Sequence, residues 1–102
     1  EEPPALVHGD LWAGNYMFTT DGKTSIYDPA VYFGHREMDI AMTKLFGGFE
    51  EDFYHGYNEE YPLEKGYEER LMLCNLYPIL VHANLFGGSY SRKAETLLRR
   101  FF

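Results

Sequence analysis

Apolar residues recur with helical spacing through most of the chain, whereas its first third alternates short apolar runs with turn residues. Tyr16–Phe18 and residues 24–27 are short apolar runs on either side of an Asp-Gly turn, a pattern that predicts a β-hairpin. Ala5–Val7 is a further short apolar run that leads into a loop. Residues 29–34 are expected to form a loop as well.

The remainder of the chain predicts four helices. The first is expected to start at Glu37 and the second to stop before Pro62. A longer helix is expected over residues 67–86, with a kink at Pro78. The last should end near residue 101, after a cap from Ser89 or Ser91. The predicted fold class is α+β, mostly α, with one small β-hairpin followed by about four helices.

The composition indicates one globular unit with an acidic surface. The 102 residues carry a formal net charge of −7, which would repel a phosphate backbone, so nucleic acid is not an expected partner. No apolar run reaches the length of a membrane span, so no membrane partner is expected either. Cys74 is the only cysteine and lies in an apolar run, which is typical of a core residue in a reducing compartment. We therefore expect a cytoplasmic location.

The segment HGDLWAGN, from His8 to Asn15, places an acid and an amide in one short loop. Asp10 and Asn15 have the H-x-D-x-x-x-x-N spacing of phosphoryl-transfer kinases, which use the acid as catalytic base and the amide as metal ligand. The predicted hairpin starts after Asn15 and ends before Asp28, so the two residues should lie at the same end of it. They could together hold a magnesium ion. His8 is expected to pack under the loop and to hydrogen-bond its backbone.

Each further candidate residue has a structural alternative. Asp28 precedes a proline and could be an ordinary turn residue. Trp12 could contact a ligand, although a tryptophan is more often a core or lid residue. Asp39 could be catalytic, but a buried acid that accepts hydrogen bonds from the loop amides is favoured. Three histidines lie on separate predicted elements without metal-ligand spacing, so no zinc site is expected: His35, His55 and His82.

Four segments, at residues 8–15 (HGDLWAGN), 28–42 (DPAVYFGHREMDIAM), 45–49 (LFGGF) and 85–90 (LFGGSY), carry a family resemblance. They closely resemble the fructosamine (ketosamine) kinases, of the aminoglycoside phosphotransferase and choline kinase group, which has a protein kinase-like fold. The resemblance covers nearly the whole chain from about Leu6. HGD-x-x-x-x-N followed by D-P-A marks the broad group, whereas Trp12 and the GHRE segment, residues 34–37, narrow it to ketosamine kinases.

The resemblance implies an ATP-dependent kinase that phosphorylates the 3-hydroxyl of a ketoamine sugar on an amine or protein, as a step in deglycation repair. It implies that Asp10 is the catalytic base and that Asn15 and Asp28 bind Mg²⁺ and, through it, ATP. Trp12 would meet the substrate. Two residues would support the catalytic loop: His8 and Asp39.

The chain resembles only the C-terminal part of the C-lobe of such a kinase. Residues 1–30 would hold the catalytic loop, hairpin and metal-binding aspartate, and residues 31–102 the helical part. The N-terminal ATP-binding lobe is absent from these residues, so we expect the chain alone to lack kinase activity. Apolar surface left uncovered, including Leu11 and Ile26, could support self-association. Alternatives are an aminoglycoside- or choline-type phosphotransferase and a non-catalytic helical interaction module.

Overall fold

A computed structural model describes residues 2–102. Its first third contains two small antiparallel sheets of two strands each. In one, β1 (Ala5–Val7) pairs with β4 (Tyr32–Gly34), and in the other, β2 (Tyr16–Phe18) pairs with β3 (Thr24–Ile26). A single 3₁₀ turn, Ala13–Asn15, links the loop after β1 to the hairpin. The predicted hairpin is therefore confirmed.

Five helices follow in residues 2–102: α1 (Glu37–Leu45), α2 (Glu51–Glu60), α3 (Tyr67–Cys74), α4 (Leu76–Phe86) and α5 (Ser89–Phe101). The predicted fold class, mostly helical with a small hairpin after the loop, is confirmed. Over this described part of the chain, no helix is both long and apolar enough to cross a membrane.

The second half of the segment expected to be a loop, residues 29–34, is instead strand β4. Leu6 pairs with Phe33 in the ladder, and the amide of Ala30 donates to the carbonyl oxygen of His8 at 2.8 Å. The two strands therefore pair the two ends of the segment that contains the HGD loop and the hairpin. Strands so far apart in sequence leave no local pattern of pairing, which explains the wrong prediction.

The single helix expected over residues 67–86 is two helices, α3 and α4, that meet at Asn75. The Asn75 side chain donates a 2.9 Å hydrogen bond to the carbonyl of Ala41 on α1, so the break is tied to the core. Pro78 falls in the first turn of α4, where an amide has no partner within the helix. The proline therefore fits a new helix rather than kinking a long one.

Two smaller expectations are also wrong. Neither Ser89 nor Ser91 caps α5, because the helix follows Gly88 and has no side-chain cap hydrogen bond. Leu11 is buried, with 8% of its surface exposed, since the loop turns this side chain inward. Ile26 is 57% exposed, as expected.

The core lies where α1 packs against α2 and α3. Ile40 and Ala41 of α1 and Leu71 of α3 are buried together, and each large apolar side chain so buried contributes about 2 kcal/mol. Cys74 packs against this cluster as a partly buried residue, and burial raises the pKa of its thiol. The position of α1, and of the side chains on it, is therefore fixed by packing in the core.

Two arginine–carboxylate pairs anchor the start of α1. Arg36 donates its Nε to both oxygens of Glu2, at 3.0 and 3.1 Å, and its terminal nitrogens to two backbone carbonyls just after α2. Glu37, only 2% exposed, accepts from the Nε and Nη2 of Arg70 at 2.9 and 2.8 Å. Arg36 and Glu37 belong to the GHRE segment, so this part of the segment holds the helix in place.

Candidate active site

The loop after β1 passes so close to the segment before β4 that a side chain at Gly9, its second residue, would clash. Gly9 has a φ of +88°, in the left-handed region that glycine adopts most readily. A Cβ atom there would lie 2.1 Å from the carbonyl oxygen of Ala30. A glycine at this position is therefore needed both for the backbone conformation and for the close approach.

Asp39, in the first turn of α1, holds the same loop from the other side. Its Oδ2 accepts a hydrogen bond from the amide of His8 at 2.8 Å, and its Oδ1 accepts one from the amide of Gly9 at 3.0 Å. Hydrogen bonds to a carboxylate are stronger than neutral ones, and the helix dipole favours an acid at this end of α1. The backbone immediately before Asp10 is therefore fixed relative to the core.

The His8 side chain joins the loop to the end of the hairpin. Its Nδ1 accepts a hydrogen bond from the amide of Asp10 at 3.2 Å, so the hydrogen of a neutral ring lies on Nε2. That Nε2 donates to the carbonyl oxygen of Tyr27 at 2.9 Å. His8 thus contacts backbone groups on both sides of the candidate site.

Asp10 and Asn15 lie against each other. The Nδ2 of Asn15 donates to the backbone oxygen of Asp10 at 2.9 Å and lies 3.3 Å from its Oδ2. Asn15 is 6% exposed, whereas Asp10 is half-buried. Because both amide hydrogens point toward Asp10, the Oδ1 of Asn15 is left as the acceptor for another group.

The hairpin brings Asp28 back to this end. β2 and β3 pair with Tyr16 opposite Ile26, and the amide of Tyr27 donates to the backbone oxygen of Asn15 at 3.0 Å. Asp28 is the next residue, is exposed, and has a φ of 58°, the only positive φ at a non-glycine among residues 2–102. A positive φ at a residue other than glycine costs on the order of 1–3 kcal/mol, and aspartate adopts it more readily than most residues, in turns as well as at functional sites.

The donors near the hairpin end fit a magnesium ion in type. Asp28 offers a carboxylate and Asn15 an amide oxygen, and Mg²⁺ commonly takes one or two such protein ligands while keeping water and phosphate oxygens. In the part of the chain that the structure describes, no group of three or more His, Cys, Asp or Glu side chains is placed to hold a metal. An Asp–Asn pair would leave the other positions around such an ion to water and phosphate oxygens.

A cavity of about 540 Å³ opens beside Asp10, within the range of small-molecule sites. The ring of Trp12 meets Phe46 edge-on at 5.9 Å, and the ring of His82 lies 5.4 Å from Phe46 and 5.0 Å from Tyr90. The Nδ1 of His82 bonds to a backbone carbonyl at 2.8 Å, so its Nε2 is the acceptor in a neutral ring. The cavity combines a carboxylate with aromatic faces.

Four residues that line this cavity were not predicted from the sequence to belong to the site: Met42, Phe46, His82 and Tyr90. They come from α1, the turn after it, α4 and α5, and only packing brings them together. A signal was present, since the LFGGF and LFGGSY segments each place an aromatic residue near a glycine pair. Residues 34–37 (GHRE), by contrast, are not among the residues that line the cavity.

Helices that follow an HGD loop and a hairpin are the C-terminal part of a kinase-like fold. The architecture therefore places the chain in the class of kinase-like proteins. The sequence profile described as fructosamine kinase matches residues 1–102. The chain belongs to the fructosamine kinase family.

Individual relatives agree with this assignment. A protein of Synechocystis described as a probable ketoamine kinase is 55% identical over 97 residues, which is 95% of this chain and 33% of the relative. The ketosamine-3-kinase of Mus musculus is 42% identical, over 94% of this chain and 31% of its own. A solved structure from Thermobifida fusca, described as a candidate fructosamine-3-kinase, superposes with a TM-score of 0.83 at 44% identity, over 97% of this chain and 36% of that one. The chain thus spans about a third of the length of the relatives it matches.

Proposed function

We propose that this chain is the catalytic part of the C-lobe of an ATP-dependent ketosamine 3-kinase, acting on the fructosamine or ribulosamine sugar of glycated amines or proteins. The observation that carries the proposal is the position of Asp10, between the Asn15 amide and the aromatic cavity. The relatives described as ketoamine and ketosamine kinases support the substrate class. The product would be a phosphorylated adduct that breaks down and releases the amine.

Asp10 is the proposed catalytic base. Its Oδ2 faces the Asn15 amide at 3.3 Å, which leaves Oδ1 to accept a hydrogen bond from the sugar hydroxyl. Phosphoryl transfer depends mainly on positioning the nucleophile and stabilising charge. The hydrogen bonds that loop amides donate to Asp39 and to the Nδ1 of His8 serve that positioning, because they hold the backbone from which the carboxylate projects.

Asn15 and Asp28 are the proposed ligands of Mg²⁺, and through it of ATP. When bound, magnesium neutralises charge on the phosphate oxygens. Asn15 contributes its free Oδ1, and Asp28 contributes an exposed carboxylate at the end of the hairpin.

The cavity beside Asp10 is the proposed site for the ketoamine. Trp12 offers a 39% exposed ring that can lie on the apolar face of a sugar or against a cationic amine. Phe46 and Tyr90 close the other walls. A cationic substrate also suits the formal charge of −7, whereas nucleic acid and a membrane are not among the proposed partners.

The proposed domain arrangement has the catalytic loop, hairpin and metal-binding aspartate in residues 1–30 and the helical part in residues 31–102. The nucleotide would be held on its other side by an N-terminal lobe that these residues do not contain. The chain alone would accordingly be inactive. The proposed location of the whole enzyme is the cytoplasm. Exposed apolar residues such as Phe33 and Ile26, 76% and 57% exposed, would favour self-association of the isolated chain.

The substitution Asp10→Asn tests this function in a protein that combines the chain with a nucleotide-binding lobe. Turnover of a fructosyl amine should fall about 10²- to 10⁴-fold, the usual contribution of a general base, while ATP affinity is kept. Asp52→Asn, an exposed acid on α2, is the matched control and should leave turnover unchanged. Full activity of the Asp10→Asn protein, or transfer to choline or an aminoglycoside in preference to the ketoamine, would contradict the proposal.

A further inference from the structure

A second depression, a groove of about 550 Å³, lies where the end of α1 meets α3, α4 and α5. Its floor is apolar and includes Leu45, Ile79 and Leu97. Two basic residues from the start of α5 and one from the end of α1 line it: Arg92, Lys93 and Lys44. The groove therefore combines an apolar floor with positive charge, in a chain whose net charge is strongly negative.

The charge on this groove is not balanced within the structure. Four arginines elsewhere form ion pairs, with Glu2, Glu37, Glu95 and Glu69. Across residues 2–102, no acidic side chain lies within 4.0 Å of the charged groups of Lys44, Arg92 or Lys93. The Nζ of Lys44 instead lies 4.5 Å from the centre of the Tyr54 ring.

The position of the α5 residues adds to this imbalance. Ser89, the first residue of α5, also lines the groove, so the positive end of the helix dipole lies beside it. The first turn of α5 also contains no acidic residue. An anion at the groove would therefore be attracted both by the side chains and by the helix end.

The groove adjoins the candidate substrate cavity. Leu45 lines the groove and Phe46, the next residue, lines the cavity. The same holds for Ser89 and Tyr90 at the start of α5. The Nζ of Lys93 lies 5.8 Å from the centre of the Tyr90 ring, so a charged group of the groove approaches the cavity wall.

We infer that the groove binds an acidic peptide segment next to the glycated residue of a protein substrate. This assignment of the substrate rests on the proposed function. A peptide with alternating acidic and apolar side chains would satisfy both the cations and the floor, whereas a small inorganic anion would leave the floor exposed to water. Extended nucleic acid would be repelled by the rest of the surface.

Direct binding of unglycated peptides tests the groove. The probes are two fluorescein-labelled peptides of equal length, one alternating Glu with Leu and the other alternating Gln with Leu, measured by anisotropy at low salt without ATP. The acidic peptide should bind at least tenfold more tightly. Arg92→Glu and Lys93→Glu should each remove at least tenfold of its affinity, and the milder Arg92→Gln should remove part of it. Unchanged circular dichroism would show that each variant folds.

The matched control is Lys65→Glu, because Lys65 is also exposed but does not line the groove. This variant should bind the acidic peptide like the unchanged protein. Equal affinity for the two peptides, or an equal loss with Lys65→Glu, would overturn the inference. So would displacement by millimolar inorganic phosphate alone, which would indicate a small-anion site, or saturation of the groove by a second copy of the chain.

Failure of the inference can be separated from failure of the proposed function. Peptide binding is measured without phosphoryl transfer, so it does not depend on Asp10. If Asp10→Asn abolishes kinase activity while the two peptides bind equally, only the groove assignment fails. If the peptides bind as expected but no ketoamine is phosphorylated, the groove still binds acidic peptides and the substrate assignment fails.

Discussion

The carboxylate of Asp39 accepts a 2.8 Å hydrogen bond from the backbone amide of His8, although 31 residues separate the two. This contact connects helix α1, which is packed into the core, to the loop that carries Asp10. The position of the proposed catalytic base is therefore set by a buried helix rather than by the loop alone.

Asp39→Asn should destabilise the protein by about 1–3 kcal/mol, because the amide has one acceptor oxygen for two backbone donors. Urea unfolding followed by circular dichroism would measure the loss. Asp52→Asn, at an exposed position on α2, should change the free energy of unfolding by less than about 0.5 kcal/mol. Equal stability of the two variants would show that the contact to the loop contributes little.

Arg70→Met should lower the free energy of unfolding by more than an exposed ion pair contributes, because it leaves the nearly fully buried Glu37 without its charged partner. The side chain of Arg70 is 41% exposed, so solvent keeps the loss below that of a fully buried pair. Arg99→Met removes an exposed helix pair with Glu95 and should cost no more than about 0.5 kcal/mol. Chemical denaturation of both variants makes the comparison, and a similar loss in each would contradict it.

Alanine substitutions at two glycines can distinguish the cost of backbone strain from the cost of a steric clash. Gly9 and Gly22 both have positive φ, at 88° and 82°, but a Cβ would meet the Ala30 carbonyl only at Gly9. Gly22→Ala should therefore cost about 1–2 kcal/mol from the left-handed conformation alone. Gly9→Ala should cost at least about 1 kcal/mol more from the clash. Thermal unfolding that ranks the two variants equally would show that the loop moves to accept the methyl group.

The contact between Glu2 and Arg36 should make stability depend on pH in the acid range. Hydrogen bonding to the Arg36 guanidinium, and to a lesser extent to Tyr61, holds the pKa of Glu2 below its usual 4.5. A carboxylate with a lowered pKa stabilises the folded state above its unfolded pKa, and this contribution disappears as pH falls through the folded pKa. The Tm advantage over Glu2→Gln should thus be full at pH 6 and lost at strongly acid pH. A Tm difference between the two proteins that does not change with pH would contradict this prediction.

The local chemistry of the site could be read from the sequence because it depends on short separations. Asp10 and Asn15 are five residues apart, and an Asp-Gly turn returns the chain to Asp28, so chain connectivity and turn preference are enough to predict their approach. Helical periodicity likewise predicted α1 and α2, since the spacing of apolar residues reflects one buried face. Residues 67–86 show the limit, because a continuous apolar pattern conceals the break at Asn75.

The sequence alone thus determined the family, the fold class and the acid–amide pair of the loop, because each can be recognised from short motifs or from the local pattern of apolar residues. Tertiary structure alone decided the pairing of β1 with β4 and the cavity that Phe46, His82 and Tyr90 form around Asp10. The physical reason is that these contacts join elements whose approach depends on how the whole core packs, and no local preference specifies that packing. The basic groove beside the cavity arises in the same way.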